Sequence, residues 1–151
     1  MFFKKYIHPF WYAFADYCTA ALAWASFYFA RKAMLAEPFT VNYKFWLGVF
    51  FIPVGWLLFY ALLGSYQTVY KKSRLSEVTN AFVCALVGCT VLFFLFLLDD
   101  DKTSNSYYYS SYFTLLALHL SFTLLGRLVI LNIAKGQLEN KIVQFNAVLV
   151  G

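Results

Sequence analysis

Long stretches without charge alternate with short polar segments along this chain. From Pro9 to Ala30 the only charged residue is Asp16. There is none from Phe45 to Tyr70, from Val78 to Leu98, or from Thr103 to Gly126. A bilayer core of ~30 Å needs ~20 helical residues at ~1.5 Å each, so each stretch is long enough to cross. The pattern predicts four transmembrane helices, near 10–30, 45–63, 78–98 and 108–133. Strands of a β-barrel would alternate apolar and polar positions, and the run from Val91 to Leu98 does not. Helices also satisfy their own backbone polar groups in lipid. Lys4, Lys5 and the triplet Ala21-Leu22-Ala23 imitate a signal peptide. The length of the first run, its Asp16 and the bulky aromatics beyond the triplet argue instead for a span that is kept.

Composition sharpens this reading. Hydrophobic residues make up 62% of the 151 and charged residues 13%, against roughly 45–50% and ~25% in soluble proteins. So few charges could not cover so much apolar surface in water. Disorder and coiled coil are excluded, and three cysteines are too few for a disulfide scaffold. The fold class is an all-α membrane protein.

Basic residues orient the spans. Lys4, Lys5, Lys71, Lys72, Arg74, Arg127, Lys135 and Lys141 fall on one side; Arg31, Lys32, Lys44 and Lys102 fall on the other. The richer side should be cytoplasmic, which places both termini inside a multi-pass protein. The net charge of +5 is then explained by topology and anionic lipid. No nucleic-acid motif accompanies it.

Residues capable of chemistry are few and scattered. Asp16 and Arg127 should lie at similar depth near the cytoplasmic side, Asp16 a little under two turns past the start of helix 1 near Phe10 and Arg127 a similar distance before the end of helix 4 near Ala134. A buried charge usually finds a partner, so a structural intramembrane ion pair is expected between them. The alternative is that each reaches the headgroups separately. His119 sits in mid-helix 4, without an evident companion for a proton relay. Neither histidine has a partner at metal-ligand spacing, and Cys18, Cys84 and Cys89 read as packing. The run Asp99-Asp100-Asp101 lacks the glycine and glutamate of a calcium loop. Pro53 should kink helix 2, and Gly48, Gly55, Gly88 and Gly126 could admit close helix approach. Tyr107, Tyr108, Tyr109, Tyr112, Trp11, Tyr12 and Trp46 suit interfacial belts.

Two segments are not transmembrane. The connector from Tyr66 to Glu77 carries Lys71, Lys72, Ser73 and Arg74 and suits the headgroup region, with Ser73 placed to cap helix 3. After a polar break at Gln137, Glu139, Asn140 and Lys141, the run from Phe145 to Gly151 has the profile of a buried parallel strand entering a turn. The division is therefore 1–134 as membrane domain and 135–151 as linker plus first strand of a Rossmann-like domain. Such a strand needs partners, so the sequence reads as the front piece of a longer protein.

These segments carry a family likeness. Leu63-Gly64-Ser65-Tyr66 followed by Lys71-Lys72-Ser73-Arg74-Leu75-Ser76-Glu77 resembles the connector of large bacterial polyprenyl-phosphate sugar-phosphate transferases. Tyr108 to Arg127, then Asn140-Lys141 and Phe145 to Gly151, is similar to their last membrane helix and first Rossmann-like strand. The resemblance implies a bacterial inner-membrane protein, undecaprenyl phosphate and anionic lipid as partners, and a homodimer contact. It implies transfer of a sugar phosphate from a nucleotide sugar, initiating exopolysaccharide, capsule or O-antigen synthesis. It also implies a magnesium-dependent catalytic domain, none of which falls within these residues. No catalytic, cofactor-binding or metal residue carries over. Membrane-bound nucleotide-sugar dehydratases and epimerases share this front half. They often carry Pro-Arg-Ser before the last helix, where this chain has Tyr109-Ser110-Ser111-Tyr112. A small four-helix transporter or flippase, with Asp16 facing a central cavity, and a scaffold without chemistry are the other readings.

Overall fold

The computed structural model describes residues 7–67, 73–97 and 104–140. They form four α-helices: α1 (Pro9–Met34), α2 (Tyr43–Leu62), α3 (Arg74–Leu92) and α4 (Asn105–Glu139). A π-helical turn, Phe93–Leu97, extends α3. There is no strand among the described residues. The expected strand from Phe145, the Asp99–Asp101 run and the connector residues Lys71 and Lys72 lie outside them.

Among the described residues three helices are long and apolar enough to cross a membrane: α2, α3 with its extension to Leu95, and α4. The first helix has 26 residues, enough in length. It is diluted by Trp11, Tyr12, Asp16, Tyr17 and Trp24, so no membrane-length stretch of it is as apolar as those of the other three.

Local chemistry sets the ends. The Ser73 hydroxyl accepts from the Ser76 N–H at 3.1 Å, and the Ser104 hydroxyl from the Tyr107 N–H at 3.2 Å. Each satisfies an N–H that the first helical turn leaves open. Pro9 opens α1 at a position where its missing N–H costs nothing. Gly64 follows the end of α2 at φ +68°, the left-handed conformation that glycine adopts without strain. The last helix continues beyond the expected end near 133. It runs through Gly136, and the expected polar break at Gln137 and Glu139 is its final turn. A helical glycine costs only ~1 kcal/mol relative to alanine, and Gln137 is buried rather than solvated.

The first helix packs along both α2 and α4, α3 packs on α4, and α2 and α3 scarcely meet. Buried positions recur every three or four residues, as one helix face requires. In α1 they are Tyr12, Asp16, Ala20, Ala23 and Phe27. In α4 they run from Tyr107 through Leu115, His119, Thr123 and Arg127 to Leu131. Small residues bring the backbones together. A Cβ on Gly48 would lie 2.1 Å from the Trp24 indole, one on Gly88 2.1 Å from the Trp56 ring, and one on Gly126 2.7 Å from the Thr19 methyl. Gly55 faces open space. The outward faces are apolar, with Phe50, Leu58, Phe82, Val87, Phe113 and Leu125 exposed, while the stripes of α1 and α4 carry polar groups inward. Apolar outside and polar inside is the arrangement of a protein solvated by lipid.

Candidate functional site: a buried charge cluster

The start of α1, the end of α2, the start of α3 and the second half of α4 gather at one end of the bundle. Asp16 and Arg127 meet there. Arg127 donates from Nε to Asp16 Oδ1 at 3.0 Å and from Nη2 to Asp16 Oδ2 at 2.9 Å, the paired geometry that gives guanidinium–carboxylate contacts their strength. Gly126 permits it: without a side chain there, α4 closes on Thr19 one turn from Asp16, and the Thr19 hydroxyl donates to the Asp16 carbonyl at 3.1 Å.

The cluster is larger than a pair. Arg127 Nη1 lies 3.4 Å from Glu77 Oε2, and the Tyr12 hydroxyl donates to the same oxygen. The Tyr66 hydroxyl donates to Asp16 Oδ2 at 3.1 Å. The guanidinium also lies over the Tyr60 ring at 4.1 Å and the Tyr12 ring at 5.5 Å, both within cation–π range. Asp16, Glu77 and Arg127 are 3%, 2% and 1% exposed, so each charge is held by its neighbours and not by solvent. Burial, and then the Asp16 carboxylate, push the Tyr66 phenol well above its ordinary range. That tyrosine therefore stays a hydrogen-bond donor at any physiological pH.

Two expectations are corrected. Glu77, expected as an exposed residue of the interfacial connector, lies in the first turn of α3 and is buried, whereas Ser73 and Arg74 are exposed. Tyr12 is not part of an interfacial belt. It is fully buried, as is most of Tyr107, whose hydroxyl accepts from Arg31 Nε at 2.9 Å. Trp11, Trp46 and Tyr109 are exposed, as belt residues are. Tyr66, of the connector, reaches back into the bundle.

His119 does have neighbours. Its Nε2 shares a hydrogen bond with the Tyr60 hydroxyl at 2.9 Å and approaches Thr123 Oγ1 at 3.3 Å. The Trp56 indole stacks on its ring at 3.7 Å and 17°. Tyr60 thus joins His119 to Arg127 through its two functions, hydroxyl and ring face. No sequence spacing announced this, because Tyr60 belongs to another helix.

General acid–base chemistry needs its groups around an open pocket. These groups are saturated by one another, and neither of the two cavities described below is lined by Asp16, Glu77 or Arg127. Among the described residues no three His, Cys, Asp or Glu side chains converge as metal ligands would. The arrangement locks α1, α3 and α4 together at one depth. No protein-family model, curated protein or solved structure matches the chain.

Proposed function

We propose that the chain is the four-span membrane-anchoring domain of a bacterial polyprenyl-phosphate sugar-phosphate transferase. It would hold a catalytic part at the inner leaflet of the cytoplasmic membrane, with both termini cytoplasmic. Anionic lipid, undecaprenyl phosphate and a second copy of the chain are the partners in this reading. What supports it is the way the residues at either side of the connector are tied down. Tyr66 and Glu77, at its two ends, both reach the Asp16–Arg127 pair. Helix ends fixed so firmly would hold whatever lies beside them at a set height above the headgroups. The first helix serves as the fourth span because it packs along α4 from Tyr12 to Arg31. Its 26 residues extend about 39 Å. The transporter reading is disfavoured by Asp16, which a carrier would expose to a cavity and which here is sealed by Arg127 and Tyr66.

Topology is tested by reporter fusions after Lys72, Lys102 and Gly151, which should read inside, outside and inside. An outside signal at Gly151 removes the four-span arrangement. Function is tested in membranes supplied with magnesium, undecaprenyl phosphate and radiolabelled nucleotide sugars. The natural open reading frame containing these residues should form lipid-linked product, whereas residues 1–151 alone should form none. Product from residues 1–151 would show that the spans themselves house a reaction site. No product from the natural frame with any nucleotide sugar would remove the transferase reading.

A further inference from the structure

The end of the bundle opposite the charge cluster holds a cavity of about 670 Å³, within the roughly 300–1,000 Å³ range of ligand sites. Arg31 and Lys32 from the last turns of α1, Lys44 from the first turn of α2, and one carboxylate, Glu37, line its polar part. Lys32 is held in place, its Nζ donating to the Pro38 carbonyl at 3.0 Å and to Thr40 Oγ1 at 3.1 Å. Lys44 is exposed and sits where the positive end of the α2 dipole disfavours a cation. Asn42, at the N-cap, makes no side-chain cap bond. Three cations face one carboxylate there, so the mouth keeps a net positive charge. The deeper walls are apolar, including Trp24, Phe27 and Leu115.

A second cavity of about 280 Å³ runs between α2 and α3, where the two helices scarcely meet. It is lined by Gly55, Trp56, Val87, Val91 and other apolar residues. Phe51, Ile52 and Leu92 line both cavities, so the cationic mouth adjoins an apolar groove. A cationic head site beside an apolar groove, on a bundle whose outer faces are apolar, matches one chemistry.

We propose that this composite site binds a membrane phospholipid with an anionic phosphate headgroup. The phosphate sits at Arg31, Lys32 and Lys44, and one acyl chain lies in the α2–α3 groove. In the proposed topology this is an outer-leaflet site. The assignment needs only membrane embedding and stands apart from the transferase reading.

The test is native mass spectrometry of the full chain, released from detergent in the presence of phosphatidylglycerol, phosphatidylcholine or inorganic phosphate. Phosphatidylglycerol should be retained at one equivalent, about tenfold better than phosphatidylcholine. Lys44→Gln removes one exposed charge and should lower that preference about fivefold, as one basic residue near an anionic lipid surface does. Gly55→Leu fills the groove at a position where a Cβ meets nothing within 4 Å. It should reduce retention of both lipids without disturbing the fold. Equal retention of the two lipids, or phosphatidylglycerol retention unchanged in both variants, would overturn the proposal. Displacement of the lipid by millimolar inorganic phosphate would overturn it too, in favour of a free-anion site.

Discussion

Arg127→Met is expected to cost the bundle about 3–5 kcal/mol, because it leaves two carboxylates buried and facing each other without a cation. Asp16 and Glu77 are both almost fully enclosed, so neither can recover hydration without opening α1 or α3 from α4. The cost comes from the charges left behind more than from the lost attraction, since burying the ions already offsets much of the pairing energy. This gives an ordering. Asp16→Asn keeps the shape and leaves Arg127 with Glu77, so it should cost less than Arg127→Met. Arg127→Lys keeps the charge but loses the two-pronged contact with Asp16 and should fall between wild type and Arg127→Met. Adding Asp16→Asn and Glu77→Gln to Arg127→Met removes the stranded charges and should restore much of the loss. Thermal unfolding in detergent, followed by tryptophan fluorescence, measures all four variants. Arg127→Met no less stable than Asp16→Asn would mean that the cluster is solvated and not buried.

The ion pair at the centre of that prediction could be anticipated from sequence because both residues interrupt otherwise uncharged stretches. Helix rise alone then puts Asp16 and Arg127 at similar depth. Glu77 carried no such signal. It follows Arg74 in a polar connector, and residues three apart share a helix face, so spacing does not separate exposed Arg74 from buried Glu77. The tyrosines were hidden for a related reason. Tyr12, Tyr60 and Tyr66 are common at membrane interfaces, and a phenol has no charge to mark it. Their roles depend on which helices are neighbours, and spacing within a single helix does not encode that. Helix limits were legible within two residues at α2, but α1 runs through Arg31 and Lys32 to Met34, α3 begins at Arg74 and not near 78, and at α4 Gly136 and Gln137 read as a break. Packing on the rest of the bundle kept the helix going. The cationic cavity was invisible in sequence, since Arg31, Lys32 and Lys44 there served only as orientation signals.

Trp56 sits at the junction of α2 with α3 and α4. Trp56 is 5% exposed. One side stacks on His119 and its six-membered edge fills the space that a side chain on Gly88 would occupy, 2.1 Å from a Cβ placed there. It also lies beside Tyr60 at 5.6 Å, the residue that binds both His119 and Arg127. Because α2 scarcely meets α3 elsewhere, little other packing would take over if the ring were lost. Trp56→Ala should therefore fall in the ~3–5 kcal/mol range of large aromatic truncations. Gly88→Val should be destabilising by about 1–3 kcal/mol through overpacking, because the indole must leave its stack on His119 to make room. The two effects share one space, so they should not add. In a Trp56→Ala background the valine occupies volume the ring has vacated. The double variant should then be more stable than the sum of the singles predicts by about 0.5–3 kcal/mol, the range of coupling between residues in contact. Unfolding of the four proteins in the same detergent closes the cycle. Strict additivity would show that the ring and the glycine do not meet, and that α2 is held against α3 by some other contact.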